Sequence, residues 1–358
     1  MTASVAERAK HRITTKDTMI DLTPLQQRTG SARSAVVALA AMAVVGSATA
    51  AADVRFTGMC DASGAIPLST DRFAVADDED NLLRIYDAET GGAPLGEIDI
   101  SRQLGVESTL SRKGRRQPPA ETDIEAATTL NGRAYWITSH GRDSRGEERR
   151  ERLRFFTTTI PDDSRALAVT AVAPESFFEQ LLAAPQLRPF DLPAAAMRAP
   201  KTAGGLNIEG LAATPDGGLL IGFRSPIPDG LALLVVLENP EQTMAGEAAR
   251  FSEPIRLDLG GLGVRALSLR HGRYLIAAGH HDSGGESRLY AWNGVGVPEQ
   301  MAVDLRDFNP EGYFQHTARR DVMLLSDDGG RMVGKRPCKR LKKREQKYFR
   351  GRWVSLEN

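Results

Sequence analysis

Charged residues stand at matching ends of several similar segments of this 358-residue sequence. Carboxylates of this kind coordinate cations, histidine exchanges protons near neutral pH, and the arginine fork binds carboxylate or phosphate. The segments therefore mark candidate sites of binding or catalysis. Three of them align without a gap, each with a second polar residue fifteen positions after the first: Glu125 and His140, Glu209 and Arg224, Arg265 and His280.

Three residues at the segment ends are the candidates for catalysis. His140, in Ser139-His140-Gly141-Arg142, suits acid–base work, and the alternative is a surface hydrogen bond. His280 occupies the equivalent place in its segment. Arg224 suits a carboxylate or phosphate group of a ligand, and the alternative is a salt bridge to Glu209 or Glu311.

The acidic residues define a candidate ligand and metal site. A ring of mutually paired charges that fills a channel is the alternative. The run 77–81 offers further oxygen atoms to calcium but lacks the spacing of an EF-hand loop, so a solvated turn is equally consistent. The expected ligand-binding residues are Asp61, Glu125, Glu209, Arg265, Glu311 and Asp327. Four of these are the expected ligands of Ca²⁺ or another divalent cation: Asp61, Glu125, Glu209 and Glu311.

The elements that carry these residues repeat along the chain. Each copy has an apolar strand, a turn that contains glycine and a second apolar strand, and looser copies start at Asp61 and Glu311. A third and a fourth strand follow most copies. Five such copies predict an all-β fold, a single five-bladed β-propeller, with a six-bladed ring as the alternative. Residues 174–197 interrupt the pattern and predict a short helical insertion between blades.

The ends of the chain complete the predicted ring. The fifth copy runs out after its third strand, so we expect Val54–Phe56 to pair with the strand that contains Trp353. Such closure removes exposed sheet edges. In a propeller the inner strands line a central channel, and equivalent strand ends emerge on one face. The candidate residues are therefore expected to converge at the channel mouth.

The N-terminal region has the order of a secretory signal. Arg28 and Arg33 precede an apolar run at 35–45, and Ala48-Thr49-Ala50 follows as an A-x-A cleavage pattern. We expect a signal peptide with an upstream extension at 1–50 and the propeller at 51–358. The location would then be periplasmic or secreted, with no membrane span after cleavage. A membrane anchor is the alternative, although the apolar run is short for one.

The amino-acid composition limits the classes of binding partner that we expect. Lys and Arg number 46, as do Asp and Glu, so the neutral chain shows no bias toward nucleic acid. We expect a monomer whose partner is a small molecule or an envelope ligand at the channel mouth. The strongly basic stretch 335–352 is either a solvated loop or a contact for an anion. Cys60 and Cys338 either form a disulfide or remain two thiols.

Several motifs resemble a known family. Cys60-Asp61-Ala62-Ser63, Asp123-Ile124-Glu125 and Asn207-Ile208-Glu209-Gly210-Leu211-Ala212 resemble an uncharacterised bacterial domain family of unknown function. More distantly, the N-I-E-G-L-A and N-P-E-G elements are similar to the "esterase-like activity of phytase" propeller domains. That second likeness implies an extracytoplasmic phosphoesterase, with Glu209 and Glu311 as the matching acidic positions.

Two functions follow as hypotheses. The first is an exported binding module of the cell envelope that uses a charged face at the central channel. The second is a metal-assisted phosphoester hydrolase, with carboxylates on the metal, Arg224 on the phosphate and His140 as acid or base. The sequence contains no Gly-rich phosphate loop, H-E-x-x-H, G-x-S-x-G or C-x-x-C motif, which counts against several large enzyme classes.

Overall fold

The computed structural model describes residues 53–109, 115–160, 167–282, 284–315 and 321–356. These residues form five four-stranded antiparallel sheets and one two-stranded sheet. The five larger sheets are the blades of a β-propeller, so the predicted five-bladed fold is confirmed and the six-bladed alternative is wrong. The predicted signal segment, residues 1–50, lies outside the described residues.

The first described strand, β1 (Val54–Thr57), belongs to the last blade, and the next sixteen strands form four blades in chain order, innermost strand first. Blade 1 consists of β2 (Ala62–Pro67), β3 (Arg72–Asp77), β4 (Leu82–Asp87) and β5 (Gly96–Asp99). Blade 2 consists of β6 (Ile124–Leu130), β7 (Arg133–Thr138), β8 (Phe155–Thr159) and β9 (Val169–Val172). Blade 3 consists of β10 (Asn207–Ala213), β11 (Leu219–Ser225), β12 (Ala232–Leu237) and β13 (Ile255–Leu257). Blade 4 consists of β14 (Gly263–Arg270), β15 (Arg273–Gly279), β16 (Arg288–Trp292) and β17 (Glu299–Gln300).

Blade 5 joins the two ends of the propeller. It consists of β18 (Pro310–Gln315), β19 (Val322–Ser326), β22 (Tyr348–Val354) and, outermost, β1. Val54 lies opposite Gly351, and Phe56 lies opposite Phe349. The predicted closure is therefore confirmed. A small hairpin, β20 (Met332–Val333) and β21 (Arg336–Pro337), precedes β22 in the loop after β19.

The helices are short and lie in the connections. The predicted insertion between blades 2 and 3 contains α1 (Ser176–Ala183) and α2 (Leu192–Ala196), and α3 (Pro240–Met244) follows β12. Among the described residues, none of the helices has the length and apolar character needed to cross a membrane. Short 3₁₀ helices occupy Arg150–Arg152, Pro185–Phe190, Pro228–Gly230, Cys338–Arg340 and Arg344–Gln346.

The hydrophobic core lies between neighbouring blades. Alternate residues of each strand face the blade on either side, so apolar side chains fill five separate layers around the ring. Where the ring closes, Phe56 stacks on Phe349 with ring centroids 4.8 Å apart and meets Phe73 edge to face. This aromatic cluster holds the first and last blades together through burial as well as strand pairing.

The inner strands approach one another closely around the channel. A Cβ atom on Gly64 of β2 would lie 2.6 Å from the backbone of Ala126 in β6. Small residues at such positions let neighbouring inner strands come near enough to direct their polar ends toward one space.

Candidate functional site at the channel mouth

A β-bulge near the start of each inner strand positions the charged side chains. The ladder between the first and second strands shifts register at Glu125, Glu209, Arg265 and Glu311. A bulged residue is left out of the ladder, and its side chain is re-aimed. All four side chains line one cavity of about 720 Å³ at the channel mouth. Here the expected convergence is seen.

The charged side chains at the channel mouth form a ring, and two arginines pair with two of its glutamates. Arg224 Nη1 lies 2.5 Å from Glu209 Oε1, and Arg265 Nε lies 3.8 Å from Glu209 Oε2. Arg265 also forms an ion pair with Glu311. All of these side chains are buried. This side of the ring is therefore the mutually paired plug that the sequence left open as an alternative.

Two asparagines complete the ring and were not among the candidates predicted from sequence. Asn207 Nδ2 donates to Glu209 Oε1 at 2.7 Å, and Asn309 Nδ2 donates to Glu311 Oε1 at 3.3 Å. Asn309 also donates to Asp327, which lines the same cavity. The repeated N-x-E-G spacing was the signal that could have identified them.

Glu125 stands apart from this pairing. It is buried but forms no hydrogen bond or ion pair with any residue that the structure describes. Burial, followed by the nearby charges of Glu209 and Asp123, raises the pKa of the Glu125 carboxyl well above its usual range. The blade 2 side of the mouth therefore carries a buried acidic group without a direct partner among the described residues, although the charges of Arg224 and Arg265 act in the opposite direction on its pKa.

A second acidic group lies where blades 1 and 5 meet. Oxygen atoms of Asp61, Asp78 and Glu79 all lie within 4.8 Å of one another. Asp78 Oδ1 is buried and has no hydrogen-bond partner among the described residues. One cation approaches from the rim: Lys339 Nζ lies 2.7 Å from Glu79 Oε1 and 4.0 Å from Asp61 Oδ1. We call these three carboxylates the Asp61 group; they could hold a metal ion.

Burial dominates the electrostatics of the Asp61 group. It raises the pKa of Asp61 to about 9, with further contributions from Asp327 and Asp77. Burial, and next the charge of Asp61, raises the pKa of Asp78 well above its usual range. Carboxylates in this state bind either protons or an added cation, because both relieve the same repulsion.

The set of acidic residues differs from the predicted metal ligands. Asp61 lies with Asp78 and Glu79, whereas Glu209 and Glu311 are engaged by arginines. In the inner-strand register, Ser63 rather than Asp61 corresponds to Glu125, because Ala62 is the last paired residue before the bulge.

The rest of the acidic run at 77–81 has a structural role. Buried Arg84 lies 2.6 Å from Asp80 and 3.7 Å from Asp77. Asn81 donates to the Ala120 carbonyl and accepts from Thr122. Of this run, only Asp78 and Glu79 line the mouth cavity.

The two histidines do not join the channel-mouth residues. The first ladder of blade 2 closes on a two-residue turn, as does that of blade 4, whereas in blade 3 five residues, 214–218, follow the last pair. Counting fifteen residues from the bulge residue therefore reaches a position in blades 2 and 4 that lies one residue later along the second strand than the position reached in blade 3. Ser139 and Gly279 correspond to Arg224, and a slip of one residue changes the face on which a side chain lies.

Each histidine has a different environment. His140 is buried on blade 2, with Nδ1 2.8 Å from the Thr138 carbonyl oxygen. Burial lowers the pKa of His140 to about 4. His280 is exposed, and only its backbone carbonyl touches the ring, where it accepts from Arg224 Nε at 3.1 Å.

Fold and site together define a β-propeller domain of unknown function with a charged channel mouth. Residues 158–321 match the model of a family described as "Protein of unknown function (DUF3616)". The resemblance to a bacterial propeller family of unknown function is thus confirmed. Among curated proteins, none matches the chain.

Several solved structures are similar over most of the chain. Glutaminyl cyclase from Myxococcus xanthus is 11% identical, with a TM-score of 0.41 over 86% of this chain and 97% of that one. The GH43_1 enzyme from Xanthomonas citri, complexed with xylose, is 14% identical, with a TM-score of 0.42 over 86% and 91%. At this level of similarity nothing about activity carries over.

Proposed function

We propose that this protein is an exported binding propeller that holds a divalent cation in the Asp61 group and binds a small polar ligand in the mouth cavity. The observation that supports the proposal is the buried Asp78 Oδ1, which has no described partner although two more carboxylates lie within 4.8 Å. Burying an ionised oxygen without a partner is costly, and a cation supplies one. Oxygen-only donors suit Ca²⁺.

Binding explains the mouth better than phosphoester hydrolysis does. Arg224, the group expected on a phosphate, donates to Glu209 and to the His280 carbonyl. His140, the expected acid or base, lines a different cavity. Among the described residues that line the mouth, there is neither histidine nor cysteine. What remains is a polar cavity large enough for a small ligand.

Export is part of the proposal. Cys60 and Cys338 form a disulfide. Disulfides persist in oxidising compartments such as the periplasm or the extracellular space. This supports the secretory reading of the N-terminal residues, which lie outside the described part of the chain.

Thermal unfolding of the purified protein tests the cation site. We expect Ca²⁺, added at millimolar concentration after EDTA treatment, to raise the Tm of the wild type, because a ligand that binds only the folded state stabilises it. Mg²⁺, Mn²⁺ and Zn²⁺ are compared in parallel. Asp78→Asn should raise the Tm in EDTA, since it removes a carboxyl group whose charged form burial and the neighbouring carboxylates disfavour, and should abolish the response to cations.

Glu151→Gln is the matched control. Glu151 lines the same cavity but is not part of the Asp61 group, so this variant should respond to cations as the wild type does. A wild-type Tm that ignores all four cations would remove the metal from the proposal. Cation-dependent cleavage of p-nitrophenyl phosphate that disappears in Asp78→Asn would favour the hydrolase instead.

A further inference from the structure

A second cavity, of about 370 Å³, lies between blade 2 and the helical insertion. We call it the insertion pocket. Blade 2 and the loop that follows β7 contribute His140, Arg142 and Arg154, and the insertion contributes Phe178 and Met197. Its size falls in the range of small-molecule sites. The channel-mouth function proposed above does not use it.

One wall of the insertion pocket is apolar and exposed to solvent. Phe178 of α1 lies with its ring centroid 5.2 Å from that of His140. Leu182 and Ala196 continue this wall, and Met197 at its edge is 67% exposed. Aromatic and flexible thioether groups of this kind accommodate a flat apolar ring.

The insertion pocket also carries two guanidinium groups that lack an acidic partner. Arg142 donates Nε to the Ala196 carbonyl and Nη1 to the Gly146 carbonyl, both at 2.9 Å. Arg154 donates Nε to the Leu104 carbonyl at 3.1 Å and Nη1 to the Arg150 carbonyl at 2.9 Å.

Neither arginine forms an ion pair with a carboxylate of the described residues. The other two arginines at the pocket differ: Arg149 pairs with Asp143, and Arg150 pairs with Glu148. Glu175 and Glu179 lie exposed at the rim and pair with none of the four. Backbone carbonyls orient Arg142 and Arg154 without neutralising them, so an anion is the complementary ligand group.

His140 adds a hydrogen-bond acceptor to the same space. His140 as a whole residue is 2% exposed, and its Nδ1 lies 2.8 Å from the Thr138 carbonyl oxygen. A carbonyl only accepts, so Nδ1 carries the proton and Nε2 presents its lone pair. Nε2 has no partner among the described residues. It would accept a hydrogen bond from a hydroxyl or N–H group of a ligand.

We propose that the insertion pocket binds a small aromatic hydroxycarboxylate. The ring lies against Phe178, the carboxylate pairs with Arg142 and Arg154, and the hydroxyl donates to His140 Nε2. The carboxylate supplies the acidic partner that both arginines lack among the described residues, and the hydroxyl supplies the donor that Nε2 lacks there.

Calorimetric titration of the purified protein tests this ligand class. The probes are 4-hydroxybenzoate, 4-hydroxyphenylacetate and 3-(4-hydroxyphenyl)propanoate, which vary the span between hydroxyl and carboxylate. We expect saturable binding of at least one of them. The methyl ester of that probe, which lacks the charge, and its O-methyl ether, which lacks the donor, should each bind at least tenfold more weakly.

Variants locate the binding in the insertion pocket. Arg142→Met keeps the apolar stem and removes the charge, and we expect at least a tenfold weaker affinity. Ala196→Phe fills the space and should abolish binding. Arg150→Met is the matched control, because Arg150 already pairs with Glu148, and its affinity should equal that of the wild type.

Three results would overturn the proposal. They are no saturable binding of any of the three acids, equal binding of the ester or the ether, and unchanged affinity in Arg142→Met. The comparison of acid, ester and ether uses wild-type protein, so it remains decisive even if a variant fails to fold.

Discussion

Cys60 and Cys338, 278 residues apart in the chain, are joined by a disulfide. The bond connects the start of blade 1 to the loop after β19 of blade 5, next to the strand pairing of β1 with β22. Their chain neighbours also meet: Lys339 Nζ lies 4.0 Å from Asp61 Oδ1, at the rim of the Asp61 group. One covalent link therefore holds both the ring closure and one edge of the channel mouth.

Removing the disulfide should destabilise the propeller. The double substitution Cys60→Ala and Cys338→Ala opens a loop of 278 residues; the chain-entropy estimate for so long a loop is about 6 kcal/mol, and measured losses are commonly smaller. We expect a loss of about 3–5 kcal/mol in the free energy of unfolding, measured by urea denaturation. Wild-type protein treated with a reductant should show the same loss. Equal stability of oxidised and substituted protein would contradict the prediction.

The substitutions Glu209→Gln and Glu125→Gln should change the free energy of unfolding by very different amounts. Both remove the charge of a buried bulge residue, but only Glu209 is ion-paired. Glu209→Gln removes the charge that pairs with Arg224, and breaking a buried pair costs about 3–5 kcal/mol. Glu125→Gln removes a group that burial already disfavours in its charged form, so we expect a change below about 1 kcal/mol or a gain.

Urea denaturation with and without Ca²⁺ checks this pair of variants. The loss in Glu209→Gln should be independent of Ca²⁺, since Glu209 does not belong to the Asp61 group. A loss of similar size in both variants would show that Glu125 is held by a charged partner as Glu209 is, and would contradict the prediction.

His140 should make stability depend on pH in a defined window. Its pKa falls from 6.5 to about 4 on folding, so the unfolded chain binds the proton more tightly. The stabilisation is complete above pH 6.5 and is lost as the pH falls from about 6.5 to about 4, by roughly 3 kcal/mol in total. Below pH 4 it changes no further.

His140→Asn isolates this contribution. His140 has a φ of 52°, a left-handed conformation that asparagine tolerates. The wild-type stability minus that of the variant, measured by urea denaturation at each pH, should fall with acidification by about 1.4 kcal/mol per pH unit within the window. A flat difference between pH 7 and 4 would show that the ring titrates normally.

Export predicts a processed N-terminus. Mass spectrometry of the protein from its native host should find a chain that begins near Ala51. The A-x-A pattern at 48–50 sets this expectation. A full-length species recovered from the cytoplasm would contradict it.

The fold was accessible from the sequence because each blade repeats one local pattern. Two short apolar strands around a tight turn form wherever the pattern occurs, and five copies require five blades. The pairing of Val54–Phe56 with the last blade could be predicted by counting strands, because the fifth copy of the repeat lacks its fourth strand. Periodicity and turn residues act over a few positions, so they can be read without the rest of the chain.

The bulge residues at the mouth were also accessible from the sequence. Glu125, Glu209, Arg265 and Glu311 each begin a repeat, and ring geometry brings equivalent positions together. The sequence left open whether they are paired or bind a metal. The structure shows the pairing: Arg224 lies against Glu209 within blade 3, and Arg265 of blade 4 forms an ion pair with Glu311 of blade 5.

The histidines show what a gap-free alignment misses. Turn lengths differ by blade, so the same spacing in sequence leads to a different register in space. The sequence by itself determined the repeats, the ring and the charged strand starts, which depend on local interactions. Only the tertiary structure decided which charges pair, where His140 lies and that Cys60 meets Cys338. These depend on side chains that are distant in the chain and on single-residue offsets in each hairpin.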